Sequence, residues 1–307
     1  MVDTPQTPPS PAPHPARVLW QRLETLHAVT YFAPESRAAA SGVGFRGFWM
    51  GYFGFRAAPM GAVGAGVVSA TFANFAPAMV ERAVPSAWDF ATPADAVVAR
   101  SAAAAAALRA IVPDIDDVAP TVVDRLGPVV ASLDLLGRPL AAANAGVDLP
   151  DDPVEQLWQT CTTLREHRGD GHLMALAAAD LSGLDAHVLF AAERGVPVEL
   201  LRDNRGWSEA DWETSVDGLA GRGLIDADEL SADGRALSDG GAALRGDVEA
   251  MTDELAGRAI AAVLGGPGDA DFDAVLALVD GPARTVAGSG VLPFPNPMGL
   301  SPISGSD

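Results

Sequence analysis

A mainly helical, all-α fold with small β-wings, arranged as two related helical halves, is what this 307-residue sequence predicts. Three observations carry that expectation. Strand-like alternation of apolar and polar residues is scarce. Apolar residues recur at helical spacing in segments punctuated by Gly and Pro. One short frame also occurs twice: LWQRLETLH (19–27) and LWQTCTTLR (157–165) share Leu, Trp, Gln, Thr and Leu at the same offsets, 138 residues apart (157 − 19). After each frame come a Gly/Arg-rich motif, an apolar helix and a Trp-led acidic helix start. The motifs are FWMGYFGFRAAPMG and REHRGDGH; the helix starts are PSAWDFATPADAVVAR and NRGWSEADWETSVDGL. A duplicated unit buries a shared core about a pseudo-twofold axis, so Trp20 and Trp158 are expected at equivalent buried positions.

The elements follow in order. MVDTPQTPPSPAPHP (1–15) is Pro-rich, with neither the basic nor the apolar region of a signal peptide, and is expected to be a disordered lead. An N-terminal helical repeat spans 16–150. Within it, ARSAAAAAALRAIV (99–112) is too short, and too interrupted by Arg100 and Arg109, to cross a membrane, and reads as a packed helix. The C-terminal repeat spans 151–265. Residues 266–307 form a last helix and a Pro/Gly-rich tail, GVLPFPNPMGLSPISGSD, whose apolar beginning is placed against the body.

The formal net charge is −20, from 40 acidic and 20 basic residues, and every basic residue is Arg. Such a surface repels phosphate backbones. It fits either a GC-rich genome that favours Arg codons or a saline cell interior. A lone cysteine, Cys161, excludes an internal disulfide and fits a reducing, cytoplasmic compartment.

The second half has a local plan. GLDAHVLFAAERG (183–195) and VPVELLRDN read as helices, and Ser208 caps a third helix that carries Glu209 and Asp211 in its first turn. Leu219, Arg222, Gly223 and Leu224, followed by Leu230, Ser231, Gly234, Arg235 and Leu237, resemble the winged helix-turn-helix of the MarR type over 183–257. The whole chain, through YFAPE, GYFGFRAAPMG and LREHRGDGH, is similar to a family of actinobacterial helix-turn-helix proteins, a resemblance that implies no activity. A MarR-like fold implies a transcription regulator, but the charges oppose DNA binding. Residues 183–257 hold six Arg against seventeen Asp and Glu (6 − 17 = −11). The groove helix would offer Glu209, Asp211, Glu213 and Asp217, where base edges and phosphates call for Arg, Lys, Asn or Gln.

The chemistry concentrates in LREHRGDGH. Gly169 and Gly171 are expected to break or kink the helix there, gathering candidate catalytic groups His167, Asp170 and His172. Candidate ligand-binding residues are Arg165 and Arg168, with His27, whose position matches Arg165 in the repeated frame. From FRGFWMGYFGFRAAPMG come Trp49, Tyr52, Phe53, Phe55 and Arg56, an Arg amid aromatics that suits a planar or anionic molecule. Arg56 and Arg168 are expected to converge on one cavity. The same cluster equally forms a salt-bridge knot that locks the repeats together.

No zinc spacing, P-loop or nucleophile elbow occurs, and no metal ligands are assigned. The cofactor is unknown; haem or iron held by His27, His167 or His172 stays open. Three classes follow: a small-molecule-binding protein with its pocket between the repeats, an enzyme using the His/Arg/Asp cluster, and a regulator. The expected partner is a small-molecule ligand rather than DNA or a membrane, with a homodimer left open.

Overall fold

The computed structural model describes residues 14–148, 150–231, 234–296 and 298–303, with backbone alone at 227–231 and 234–235. The expected disordered lead thus lies almost wholly outside the described residues, as does the last stretch of the tail. Pro15, placed in that lead, instead opens the first helix.

That helix, α1 (Pro15–His27), is followed by a one-turn α2 (Val29–Phe32), then α3 (Pro34–Gly42) and the aromatic α4 (Gly47–Ala57). Two short helices, α5 (Ala65–Thr71) and α6 (Pro77–Glu81), lead to the Ala-rich α7 (Pro93–Ile111), then α8 (Ile115–Ala131) and α9 (Pro139–Ala145). A long central helix follows, α10 (Pro153–Ala178). Beyond it come α11 (Gly183–Arg194), α12 (Val198–Arg205), α13 (Glu209–Gly221), strands β1 (Ile225–Ser231) and β2 (Gly234–Leu237), then α14 (Asp239–Leu264) and α15 (Ala270–Gly288). β1 and β2 pair antiparallel, Ile225 opposite Leu237, with an irregularity between Ile225 and Leu230. The fold is mainly α with one small β element among the described residues.

Local sequence accounts for the helix starts. Pro fills the first turn of α1, α3, α7 and α10, where its missing N–H costs nothing. Asp152 caps α10 by accepting from Val154 and Glu155 N–H. Ser182 and Ser208 each make a capping box with an Asp three residues on, Asp185 and Asp211. α11, α12, α13 and the hairpin reproduce the order of a winged helix. Their core, around Leu184, Val188, Leu201, Trp212, Val216 and Ile225, is separate from the main one.

The main core is built on α1, α7, α8, α10, α14 and α15. Leu292 and Leu300 of the tail join it, so the beginning of the tail is docked as its apolar residues suggest.

The repeated frames lie on α1 and α10, which pack against each other. Leu19 and Leu157 are both buried, and Thr25 and Thr163 each donate to the carbonyl four residues back, Gln21 and Gln159. The expected equivalence of the two tryptophans is not met. Trp158 is 1% exposed, whereas Trp20 is only half-buried, its Nε1 donating to Glu24. The paths also differ: α7 turns directly into α8, while α13 passes through the hairpin before α14.

A second expectation fails more instructively. α10 runs unbroken through Gly169 and Gly171. A mid-helix Gly costs only about 1 kcal/mol relative to Ala, and packing on several sides of α10 outweighs that. Gly171 is needed for space: a Cβ there would lie 2.6 Å from Nη1 of buried Arg138, which donates to His167 O.

Candidate functional site

An unbroken α10 decides which charged residues can meet. Successive residues turn by about 100°, so three sets of side chains point three ways. Trp158, Thr162 and Glu166, four apart, line a cavity of about 180 Å³. Arg168 and His172 face α14. Asp170 and the backbone beside Gly171 face α9 and the loop before it.

The other cavity walls come from the first half: His27 of α1, Tyr31 of α2, Arg37, Ala40 and Ser41 of α3, Phe48, Gly51, Tyr52, Phe55 and Arg56 of α4, and Arg100 of α7. Arg37, Ser41, Gly47 and Phe48 are exposed and make the mouth; Trp158, Thr162, Arg100 and Glu166 are buried and make the floor. Gly51 lets α4 lie close to α3, since a Cβ there would come within 2.9 Å of Ala40 Cβ. The rings pack tightly. Tyr31 and Tyr52 are 5.1 Å apart, and the His27 ring lies 5.8 Å from Trp158, nearly parallel to it.

The hydrogen bonds fix the tautomer of His27. Thr162 Oγ1 donates to Trp158 O at 2.7 Å, so it must accept from His27 Nδ1–H at 2.9 Å. His27 Nε2 is then bare and accepts the Tyr31 hydroxyl at 2.9 Å. Burial, with Arg165 nearby, pushes His27 well below its ordinary value and keeps it neutral. Burial pushes the Tyr31 phenol up, so the pair is uncharged at neutral pH.

Glu166 anchors the floor. Arg56 clamps it with two bonds, Nε to Oε1 at 2.8 Å and Nη2 to Oε2 at 2.9 Å, and Arg165 Nη1 adds a third at 2.7 Å. Burial opposes ionisation of Glu166, but Arg165 and Arg56 outweigh it and hold the carboxyl well below the usual range. Arg165 also reaches Glu24 at 3.2 Å.

Arg100 is different. It is 3% exposed, and its guanidinium meets neutral acceptors: Phe55 O at 2.9 Å, Asn144 Oδ1 at 2.9 Å and Gln159 Oε1 at 3.0 Å. Its Nε–H is buried without a hydrogen-bond partner. Burial pushes this guanidinium down to about 10. Around the floor, three cations (Arg56, Arg100, Arg165) therefore face two carboxylates (Glu24, Glu166), and one positive charge is unmatched.

Of the residues singled out in the sequence, His27, Tyr52, Phe55 and Arg56 line this cavity, and Arg165 supports Glu166 from behind. Trp49 and Phe53 belong to the adjoining aromatic core with Phe72 and Phe75. Arg168 does not converge with Arg56. Two residues past Glu166 on a straight helix is about 200° of rotation, and Arg168 instead pairs with Asp253 at 2.9 Å, its guanidinium over the Trp20 ring. Arg17 bridges Glu249 and Asp253 in the same knot.

His167, Asp170 and His172 lie away from the cavity. His167 Nε2 donates to Asp134 O at 3.0 Å. Asp170 Oδ2 caps α9 by accepting from Leu140 and Ala141 N–H at 3.0 and 2.9 Å. His172 Nδ1 donates to Thr252 Oγ1, whose own proton goes to Val248 O. Among the described residues, no group of three His, Cys, Asp or Glu stands where a metal could be held. Cys161 is buried in the main core, and burial raises its thiol to about 12, which removes it as a nucleophile at neutral pH.

Sequence reasoning passed over Arg100, Tyr31 and Trp158 as site residues. A signal existed for Arg100. It is a charge on a helix where Ala96, Ala103, Ala104, Ala107 and Leu108 are all buried, and such a helix leaves a cation little access to water.

The winged helix presents acids. Glu209, Asp211, Glu213 and Asp217 are exposed on α13, while Arg222 at its end is tied to Asp180 O and Ala179 O. No single helix among the described residues is long and apolar enough to cross a membrane. The model of a helix-turn-helix family matches residues 16–293. No curated protein and no solved structure matches.

Proposed function

This chain belongs to the helix-turn-helix family, and from that premise we propose that it is a small-molecule-binding protein whose ligand occupies the cavity between α1–α4, α7 and α10. One observation carries the reading. A cavity of about 180 Å³ has aromatic walls, an open mouth and a buried guanidinium at its floor that meets no carboxylate. Mainly apolar cavities with a few convergent polar groups are the usual form of ligand sites. Arg168, by contrast, is neutralised in place by Asp253.

The test is calorimetric titration of the purified protein with small aromatic compounds of varied charge, alongside mass spectrometry of anything carried through purification. At least one class should bind and raise the melting temperature. Ser41→Trp, an exposed substitution at the mouth, should abolish that binding and leave the unliganded melting temperature unchanged. Binding that survives the blocked mouth defeats the reading.

A DNA-binding regulator is the second reading, favoured by family membership and by the winged-helix order of α11–α13 and the hairpin. The exposed acids of α13 weigh against it, because phosphate contacts require cations. At near-physiological salt a mobility-shift assay should show no salt-sensitive binding of duplex DNA. A specific footprint lost in Arg222→Ala would reverse the order of the two readings.

A further inference from the structure

We propose that the occupant of the cavity is a single-ring aromatic carboxylate, its anion held at the floor by Arg100 and its ring lodged among Trp158, Tyr31, Tyr52 and Phe55. The proposal rests on the small-molecule reading above and assigns the chemical class.

Three features set that class. The first is charge. Glu166 spends both oxygens on Arg56 and Arg165, so the cavity has no carboxylate free to take an amine. The unspent groups are donors. Arg100 Nε–H has no acceptor among the described residues, and Tyr52 Oη, which receives Arg56 Nη1 at 3.3 Å, donates to none of them. Donors without acceptors, around one unmatched positive charge, call for a single anion. A dianion such as phosphate would reverse the imbalance at the floor rather than cancel it.

The second feature is size. A dry cavity of about 150 Å³ holds one benzene; one of about 180 Å³ has room for a ring and a small substituent. The third is wall chemistry. Trp158, Tyr31, Tyr52, Phe55 and the neutral His27 present ring faces and edges, which favour a planar π-system over a flexible chain. The exposed mouth and buried floor orient the guest, carboxylate inward.

The experiment is titration of the intact protein with benzoate, its neutral isostere benzamide, the cation benzylamine and the aliphatic anion butyrate. Benzoate should bind about tenfold or more tightly than benzamide, the factor a charge-assisted hydrogen bond supplies. Benzylamine and butyrate should bind less well still. Arg100→Met should erase the advantage of benzoate while benzamide binding persists; Tyr52→Phe, a gentler change, should reduce it. Thermal unfolding of each variant confirms that it is folded. If benzamide or butyrate matches benzoate, the carboxylate class is wrong and the small-molecule reading stands. If Arg100→Met binds benzoate like the parent, the anion is not at Arg100 and the proposal fails. If no aromatic probe of any charge binds, both readings fall together.

Discussion

Two charged clusters touch α10, and their charge balance separates them. On the α14 side, Arg17 and Arg168 meet Glu249 and Asp253: two cations, two anions, with Trp20 stacked beneath Arg168. On the cavity side, Arg56, Arg100 and Arg165 meet only Glu24 and Glu166. The first cluster balances its charges and borders no described cavity, although Arg168 Nε, like Arg100 Nε, has no hydrogen-bond partner. The second lacks one anion and borders a space that could hold one. The lesson is that a buried Arg without a carboxylate marks a site where it also borders a cavity, as Arg100 does and Arg138 does not. The sequence motif richest in charge, LREHRGDGH, is divided: Arg165 and Glu166 go to the cavity side, Arg168 to the α14 side and Asp170 to the cap of α9.

The comparison can be broken most forcefully at its shared logic, the cost of leaving buried charge unpaired. Glu166→Gln strands Arg56, leaves Arg165 with Glu24 alone, and should cost about 3–5 kcal/mol, measured by denaturant unfolding. A loss under about 1 kcal/mol would mean that water or rearrangement already satisfies these cations. Asp253→Asn should cost less, about 1–3 kcal/mol, because Arg168 keeps Glu249 at 3.4 Å and the rim of that knot is partly solvated. It should leave binding in the cavity unchanged, and a change in ligand affinity would join two clusters separated here.

Acid should loosen both sides through a different set of groups. Burial depresses His27, His167 (to about 4), His172 and His187 (to about 3) below their ordinary 6.5. Between those values the unfolded chain binds protons that the folded chain refuses, so stability falls as pH drops below about 6.5. Asp170, which burial raises to about 6, opposes this slope as one group against four. Below about 4.5 the carboxylates add to the loss. Burial alone would raise Glu249, yet Arg17 outweighs it and holds Glu249 near 2, so its contribution disappears as pH falls toward that value. Melting temperature should therefore decline from pH 7 to pH 4; a flat profile would place these imidazoles in water. The smallest effect belongs to an exposed pair. Asp116→Asn, which removes the nearer of Arg109's two carboxylate partners, at 2.6 Å, should cost under about 1 kcal/mol.

Much of the fold was legible. Ser208 before Asp211 and the spacing of apolar residues in 183–195 gave helices that the structure contains, because caps and periodicity act within a few residues. The hairpin after α13 was legible through the winged-helix resemblance of residues 219–237 rather than through caps or periodicity. The cavity was partly legible. Tyr52, Phe55 and Arg56 stood out as an Arg amid aromatics, and His27 through its place in the repeated frame. The error over Gly169 and Gly171 came from reading propensity without neighbours: Arg138, thirty-three residues before Gly171 (171 − 138), supplies the reason for a small residue there.

By itself, then, the sequence determined the helical class, the caps, the winged-helix order and the strongly acidic character of its groove helix, since each depends on residues close in the chain or on composition alone. Only the tertiary structure decided which charges pair. Glu166 and Arg168 are two residues apart yet on opposite sides of a continuous helix, one bound to Arg56 and the other to Asp253, 85 residues ahead. Charge pairing depends on distances through space and on exclusion of water. Neither is encoded in a motif; both arise only when α1, α4, α7 and α14 close around α10.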